Sequence, residues 1–301
     1  MHIPDGFLSN RIALSLDVCS GAAIAYAARR VKLEASMRVV PMMGVLGAFV
    51  FAAQMLNFPV LGGTSGHLVG GALLAILLGP MAALLTMATV IIAQALFLQD
   101  GGLIALGANI FNIGATTVFA GYAVFHLLGG SRSPGRGLGF AAFAAGWISM
   151  ILSAAGCALQ LALSGAIPLR IGMLAMGGYH AVIGIAEGGL TAGVLLFLAR
   201  VRPDLLENRR QVRLGLADWI GACLLVVLPF LILVLTGGSE LPDPLEKLLG
   251  AAGLQGAPAE AAKLLTPERY REYFLATAAL VAVIGAAFLA IRLVQSRKGR
   301  P

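Results

Sequence analysis

Residues 81–98 read MAALLTMATVIIAQALFL, eighteen positions without a charge. As a helix, such a run covers most of a bilayer's hydrocarbon core, which takes ~20 apolar residues. The pattern repeats. Nine apolar spans are expected, at 13–28, 39–56, 67–79, 81–98, 107–128, 138–164, 180–199, 217–236 and 274–292, the third short enough to be partial or tilted. The whole chain of 301 residues is 59% hydrophobic and only 12% charged, which excludes a soluble protein. An all-α polytopic membrane fold follows, with seven spans in residues 1–200 and two more in a C-terminal hairpin.

The net charge of +7 does not point to nucleic acid once its placement is considered. With the N-terminus outside, the inner segments hold Arg29, Arg30, Lys32, Arg38, Arg132 and Arg136 in the first half of the chain. Arg200, Arg202, Arg209, Arg210, Arg213, Arg292, Arg297, Lys298 and Arg300 follow in the second half. Only Arg11, Arg170, Lys247, Lys263, Arg269 and Arg271 remain for the outer side. Positive charge concentrates on the cytoplasmic side of membrane proteins, so the N-terminus is expected outside and the C-terminus inside. Arg29 and Arg30, on the inner flank of the first apolar run, also argue against a cleaved signal peptide despite Ala23-Ile24-Ala25. Three cysteines, Cys19, Cys157 and Cys223, lie singly within apolar spans and read as small buried side chains.

Three parts are visible: residues 1–200 with short loops, a charged cytoplasmic linker at 201–216, and a hairpin at 217–301. The hairpin spans flank an outer insert, residues 237–272, that carries Pro242, Pro244 and Pro258. Small-residue stripes at Gly21 and Ala25, and at Gly44, Ala48 and Ala52, allow close helix approach within the chain or to a partner.

The chain begins Met1-His2-Ile3-Pro4-Asp5-Gly6-Phe7-Leu8. A bulky second residue protects the starter methionine from trimming, which prefers small side chains there. The Met1 amine, the His2 amide nitrogen and the His2 imidazole then form a tridentate chelate. A second imidazole completes a four-nitrogen plane, the tetragonal geometry that suits Ni(II) or Cu(II). His67 is the candidate, following the glycine-rich turn Gly62-Gly63-Thr64-Ser65-Gly66, and a helix is expected to open at Gly66-His67. Asn109 and Asn112 at one outer span end, with Gln54, Asn57, Thr64 and Ser65 nearby, read as polar supports that orient a ligating imidazole. His180 and Glu187 stand two helical turns apart and suggest either an ion site or an interhelical clamp. His126 lies at an inner span end and reads as interfacial. No G-x-x-x-x-G-K-[ST] occurs, so energy for accumulation comes from another subunit or from an ion gradient.

The opening octapeptide, the stretch Gly62 to His67 and Gly107-Ala108-Asn109-Ile110-Phe111-Asn112 resemble the substrate-capture component of nickel and cobalt energy-coupling-factor transporters, the CbiM/NikM type. The resemblance spans about residues 1–200. The hairpin resembles the small CbiN/NikN accessory component, whose insert usually carries P-D-G-L-E; here it reads Pro242-Asp243-Pro244-Leu245-Glu246. The resemblance implies a seven-span domain whose N-terminus folds into an outer cavity and holds metal through the Met1, His2 and His67 nitrogens. It implies import of Ni²⁺ or Co²⁺ without a permanently bound cofactor, with a transmembrane coupling subunit and two cytoplasmic ATPases as partners. For cobalt, the link is to cobalamin biosynthesis. It implies no enzymatic activity of the chain itself. Two other classes are a secondary permease coupled through His180 and Glu187, and an intramembrane metalloenzyme using His67, His180 and Glu187. The latter requires a central Glu187 to meet an outer His67.

Overall fold

A computed structural model describes residues 1–34, 39–55, 58–60, 64–131, 135–202 and 204–207. Asn57, the linker beyond 207, and the hairpin with its insert and Cys223 lie outside the described residues. In chain order come α1 (Asn10–Glu34), α2 (Val39–Met55), a ribbon of β1 (Phe58–Val60) and β2 (Thr64–Gly66), and α3 (Gly71–Leu78). Next are α4 (Pro80–Ala93), prolonged by a π-turn at Gln94–Leu98, and α5 (Leu106–Asn109). A second π-stretch, Ile110–Thr116, carries α5 into α6 (Thr117–Leu127). The long α7 (Arg136–Leu163) and α8 (Leu169–Val201) precede a last turn, α9 (Asp204–Glu207).

Among the described residues, five helical stretches are long and apolar enough to cross a membrane: Asn10–Val31, Pro80–Leu98, Leu106–Leu127, Arg136–Leu163 and Leu169–Val201. The apolar α2, with 17 residues, and the eight-residue α3 add shorter pieces. The chain is a multi-pass helical membrane protein. Its layers differ in burial. In Pro80–Leu98, Leu106–Leu127 and Arg136–Leu163 some 61–67% of the apolar window is buried, against 33% in α1 and α8, so the last two form the outer wall. Leu14 and Val18 on α1 and Ile171, Leu174, Ile185 and Phe197 on α8 face outward, the apolar surface a lipid-facing helix needs. Inside, Leu74, Leu84, Met87, Ile91, Ile113 and Val118 form a close-packed centre.

Local chemistry sets the boundaries. Pro80 opens α4 directly after Gly79, since the first helical turn has no use for the missing N–H. The helix expected at Gly66-His67 opens at Gly71 instead, because Gly70 adopts φ 80°, which no right-handed helix accommodates. Gly66 pairs with Phe58 in the ribbon, and residues 67–70 form an irregular descent into the protein. The last span of the capture region begins eleven residues before the expected 180, immediately after the extended Pro168; Gly177 and Gly178, loop-like by composition, lie within α8. Glycines let α7 and α8 cross closely. A Cβ on Gly188 would meet the Phe143 carbonyl at 2.6 Å, and one on Gly146 would meet Gly188 Cα at 3.0 Å. The small-residue stripes differ: Gly21 and Gly44 point into open space, while Gly47 packs against Thr86.

Candidate metal centre

Residues 1–5 run as a strap beneath the turn that joins α4 to α5. The Ile3 amide donates to Asn109 Oδ1 at 2.7 Å, and Asn109 Nδ2 donates back to the Ile3 carbonyl at 3.0 Å. The same carbonyl accepts from Gly102 N at 2.9 Å. Asp5 accepts from the Leu103, Ile104 and Ala105 amides at 3.0, 2.8 and 3.1 Å, so it satisfies N–H groups at the start of α5 that lack helical partners. The turn must come very close to the strap. Gly101 has φ 93°, and a Cβ there would lie 2.8 Å from Asn109 Nδ2 and 3.3 Å from His2 Cβ.

The strap brings His2 against His67. Their rings stack with centroids 5.3 Å apart and planes 9° from parallel. His2 Nδ1 donates to Asp100 Oδ1 at 3.0 Å, its side chain only 5% exposed, while its Nε2 is buried with no hydrogen-bond partner. His67 Nδ1 donates to the Leu68 carbonyl at 2.9 Å, which leaves its Nε2 lone pair free to ligate.

Burial disfavours the charged forms of the His67 imidazole and the Met1 amine. Burial, aided by the charge of the neighbouring N-terminal amine, lowers the His67 pKa to about 4. Burial likewise lowers the pKa of the Met1 amine. The hydrogen bond from His2 holds the Asp100 carboxyl below the usual carboxylate range. The Met1 side chain reaches deeper, its Sδ 3.7 Å from Ser153 Oγ.

Asn112 stands behind the methionine. It exchanges two side-chain hydrogen bonds with Gln160, at 2.7 and 2.8 Å, and its carbonyl accepts from Ser153 Oγ at 2.7 Å. It therefore supports Met1 rather than an imidazole, whereas Asn109 grips the strap itself. Thr64 and Ser65 lie in β2, within the ribbon leading to His67.

His180 and Glu187 have separate partners. His180 Nδ1 donates to the Met176 carbonyl at 2.7 Å on its own helix. Glu187, only 2% exposed, accepts from Val69 N and Gly70 N, each at 2.8 Å. Glu187 is nevertheless tied to the segment that follows His67: the left-handed Gly70 turns the chain inward, so Val69 and Gly70 reach the carboxylate. Gln54 Nε2 donates to the Val69 carbonyl at 2.7 Å, and Gln54 Oε1 accepts from Gln94 Nε2 at 2.7 Å. Asp100, Gln94, Ser153 and Gln160 are participants that sequence reasoning missed. Asp100 had a visible signal, as a lone charge followed by two glycines at a span end. Among the described residues no three His, Cys, Asp or Glu side chains form a group that could hold a metal ion.

Residues 2–205 match the family CbiM, described as the cobalt uptake substrate-specific transmembrane region. The chain belongs to the CbiM family. A relative from Archaeoglobus fulgidus, assigned as a fused nickel transport protein NikMN, is 40% identical over 264 residues, covering 86% of this chain and 85% of its own. That match extends beyond the family region, as expected for a CbiM/NikM-type chain fused to a NikN-like hairpin. The cobalt transport protein CbiM of Sorangium cellulosum is 34% identical, covering 71% of this chain and 98% of its own. A solved transition metal transporter superposes with a TM-score of 0.62 at 30% identity, over 71% of this chain and all of that one. The protein is thus a CbiM-type membrane component of transition-metal uptake.

Proposed function

We propose that this CbiM-type chain captures Ni²⁺ or Co²⁺ at its outer face through four nitrogens: the Met1 amine, the His2 amide, the His2 imidazole and the His67 imidazole. The observation that carries this reading is the stacking of His2 on His67 beside a buried N-terminal amine. The chemistry of the donor set agrees. An amide nitrogen gives up its proton near neutral pH only to a strongly polarising transition metal, which discriminates against Mg²⁺ and Ca²⁺, cations that prefer oxygen. Chelate closure through the His2 amide forms a five-membered ring to the amine and a six-membered ring to His2 Nδ1. That nitrogen is bonded to Asp100 in this structure, so capture exchanges the carboxylate for the metal. Binding releases protons and weakens in acid.

The chain binds and presents its cargo and performs no bond chemistry on it. As the substrate-specific component of an energy-coupling-factor transporter it works with a transmembrane coupling subunit and two cytoplasmic ATPases, its N-terminus outside. Residues 1–200 are the capture domain, 201–216 a cytoplasmic linker and 217–301 an accessory hairpin. The S. cellulosum relative supports this division, since its match to 71% of this chain accounts for 98% of its own length.

The test is a chain extended by one residue before Met1, or acetylated at its amine. Calorimetric Ni²⁺ and Co²⁺ binding should disappear while the helical fold persists. Undiminished affinity in the extended chain would rule out the amine as a donor.

A further inference from the structure

We infer that Glu187 is a positioning residue for metal capture, acting on His67 through a single peptide group; the inference rests on the four-nitrogen reading above. Glu187 Oε2 accepts the Val69 N–H at 2.8 Å, while the Leu68 carbonyl accepts His67 Nδ1–H at 2.9 Å. The Leu68 carbonyl and the Val69 N–H belong to the same peptide bond. That unit is planar and its two groups point in opposite directions. Fixing the N–H therefore fixes the carbonyl, and the carbonyl in turn fixes the tautomer and rotation of the imidazole. Ligating histidines commonly donate their second nitrogen to a carboxylate or carbonyl. Here a carboxylate and a carbonyl act in series.

The rest of the environment keeps that peptide from turning. Glu187 Oε1 holds the next amide, Gly70 N, at 2.8 Å, and Gln54 Nε2 holds the intervening Val69 carbonyl at 2.7 Å. Gly70 sits so close to α2 that a Cβ would lie 2.6 Å from Val50 Cγ2. Glu187 also adjoins Gly188, at the close crossing of α7 and α8, so the carboxylate projects from a fixed part of the protein. The residue type follows from the donors. Two neighbouring N–H groups need two acceptor oxygens, and an amide side chain offers one oxygen and sets an NH₂ against the other donor. His67, the one proposed donor outside the strap, is thus aimed by the peripheral helix α8.

The experiment is a double-mutant cycle on the full chain in detergent, with Ni²⁺ as the probe. Glu187→Gln should lower calorimetric affinity about 10–100-fold, the range seen when a partner behind a ligand is lost. In a His67→Ala background the same substitution should change affinity less than about twofold, because two groups acting through one element are not additive. Free imidazole, which has no open position to fill in the unsubstituted chain, should restore part of the lost affinity in Glu187→Gln. Equal losses in both backgrounds, or no loss in either, would overturn the role of Glu187. If His67→Ala itself leaves affinity intact, the four-nitrogen reading fails instead. If Glu187→Gln does not fold, Gln54→Met loosens the same tripeptide from its other side, and an equal loss in both backgrounds again overturns the inference.

Discussion

Residues 1–5 and residues 67–70 bring nitrogen donors to one place by opposite means. The strap is held through its own main chain by buried bonds between Ile3 and Asn109, and by Asp5, whose contacts with Leu103 and Ile104 are exposed and that with Ala105 half-buried. The His67 segment is held by buried side chains from α2 and α8, with Gln54 braced in turn by Gln94 from the π-turn after α4. Exposed hydrogen bonds exchange with water at little net cost, while a buried group left without its partner costs roughly 1–3 kcal/mol. On the proposed four-nitrogen reading, the strap is the jaw that adds surface contacts to a buried anchor, and the His67 segment is the jaw whose braces are all buried side chains.

The largest effect should come from the His67 jaw. His67→Ala removes a donor outright and should weaken Ni²⁺ binding more than about 100-fold, beyond the loss expected for an outer partner. Calorimetry that finds less than a tenfold loss would mean that the strap alone makes the site. Next comes the strap's buried anchor. Asn109→Ala removes both hydrogen bonds to Ile3 and should cost about 10–100-fold, chiefly as faster metal release in a chelator-competition assay. Asp5→Ala should cost only about 1 kcal/mol, the usual value of a helix-start acceptor, or several-fold in affinity. An Asp5 effect larger than that of Asn109 would reverse the comparison and make the surface contacts the latch.

The two jaws were unequally legible in the sequence. Met1 and His2 announce themselves, because a chelate built from the chain start needs no tertiary contact to be recognised. Asn109 was visible as a polar group in an apolar span, and His67 as a histidine after a glycine run, but their partners were not. Those partners are main-chain groups of Ile3 and Leu68, and a backbone group leaves no mark on residue identity. Glu187 shows the same limit. Paired with His180 by helical spacing, it looked like half of an ion site, yet its two oxygens serve amides more than a hundred positions earlier in the chain. The fold was readable wherever apolar runs were long. It was misread at Gly70, where a positive φ ends one element and begins another.

Acidity separates the jaws by a smaller margin. With a pKa of about 4 in the folded metal-free protein and an ordinary value of 6.5, His67 is neutral between those limits while the unfolded chain takes up a proton there. Unfolding then binds the extra proton, so this contribution to stability is complete above pH 6.5 and is lost as pH falls towards 4. A histidine-detected NMR titration of the metal-free protein should place the His67 midpoint near 4. A midpoint near 6.5 would show that the jaw is open to water.

The smallest effect on affinity is expected from the region most distant in sequence. Among the described residues both jaws find their contacts within residues 1–200, and the S. cellulosum relative matches 71% of this chain with 98% of its own length. Residues 217–301 contain no histidine, and their one cysteine, Cys223, stands alone. The insert's acidic groups, Glu240, Asp243, Glu246, Glu260, Glu268 and Glu272, are oxygen donors and bind Ni²⁺ weakly beside a multi-nitrogen chelate. Deleting 217–301 should thus leave calorimetric affinity within about twofold but slow cellular metal uptake, because the proposed role of the hairpin is to help the strap open and close. A folded truncation that loses affinity would make the insert a source of ligands and the site larger than its two jaws. One that keeps both affinity and uptake rate would leave strap movement to the capture domain alone.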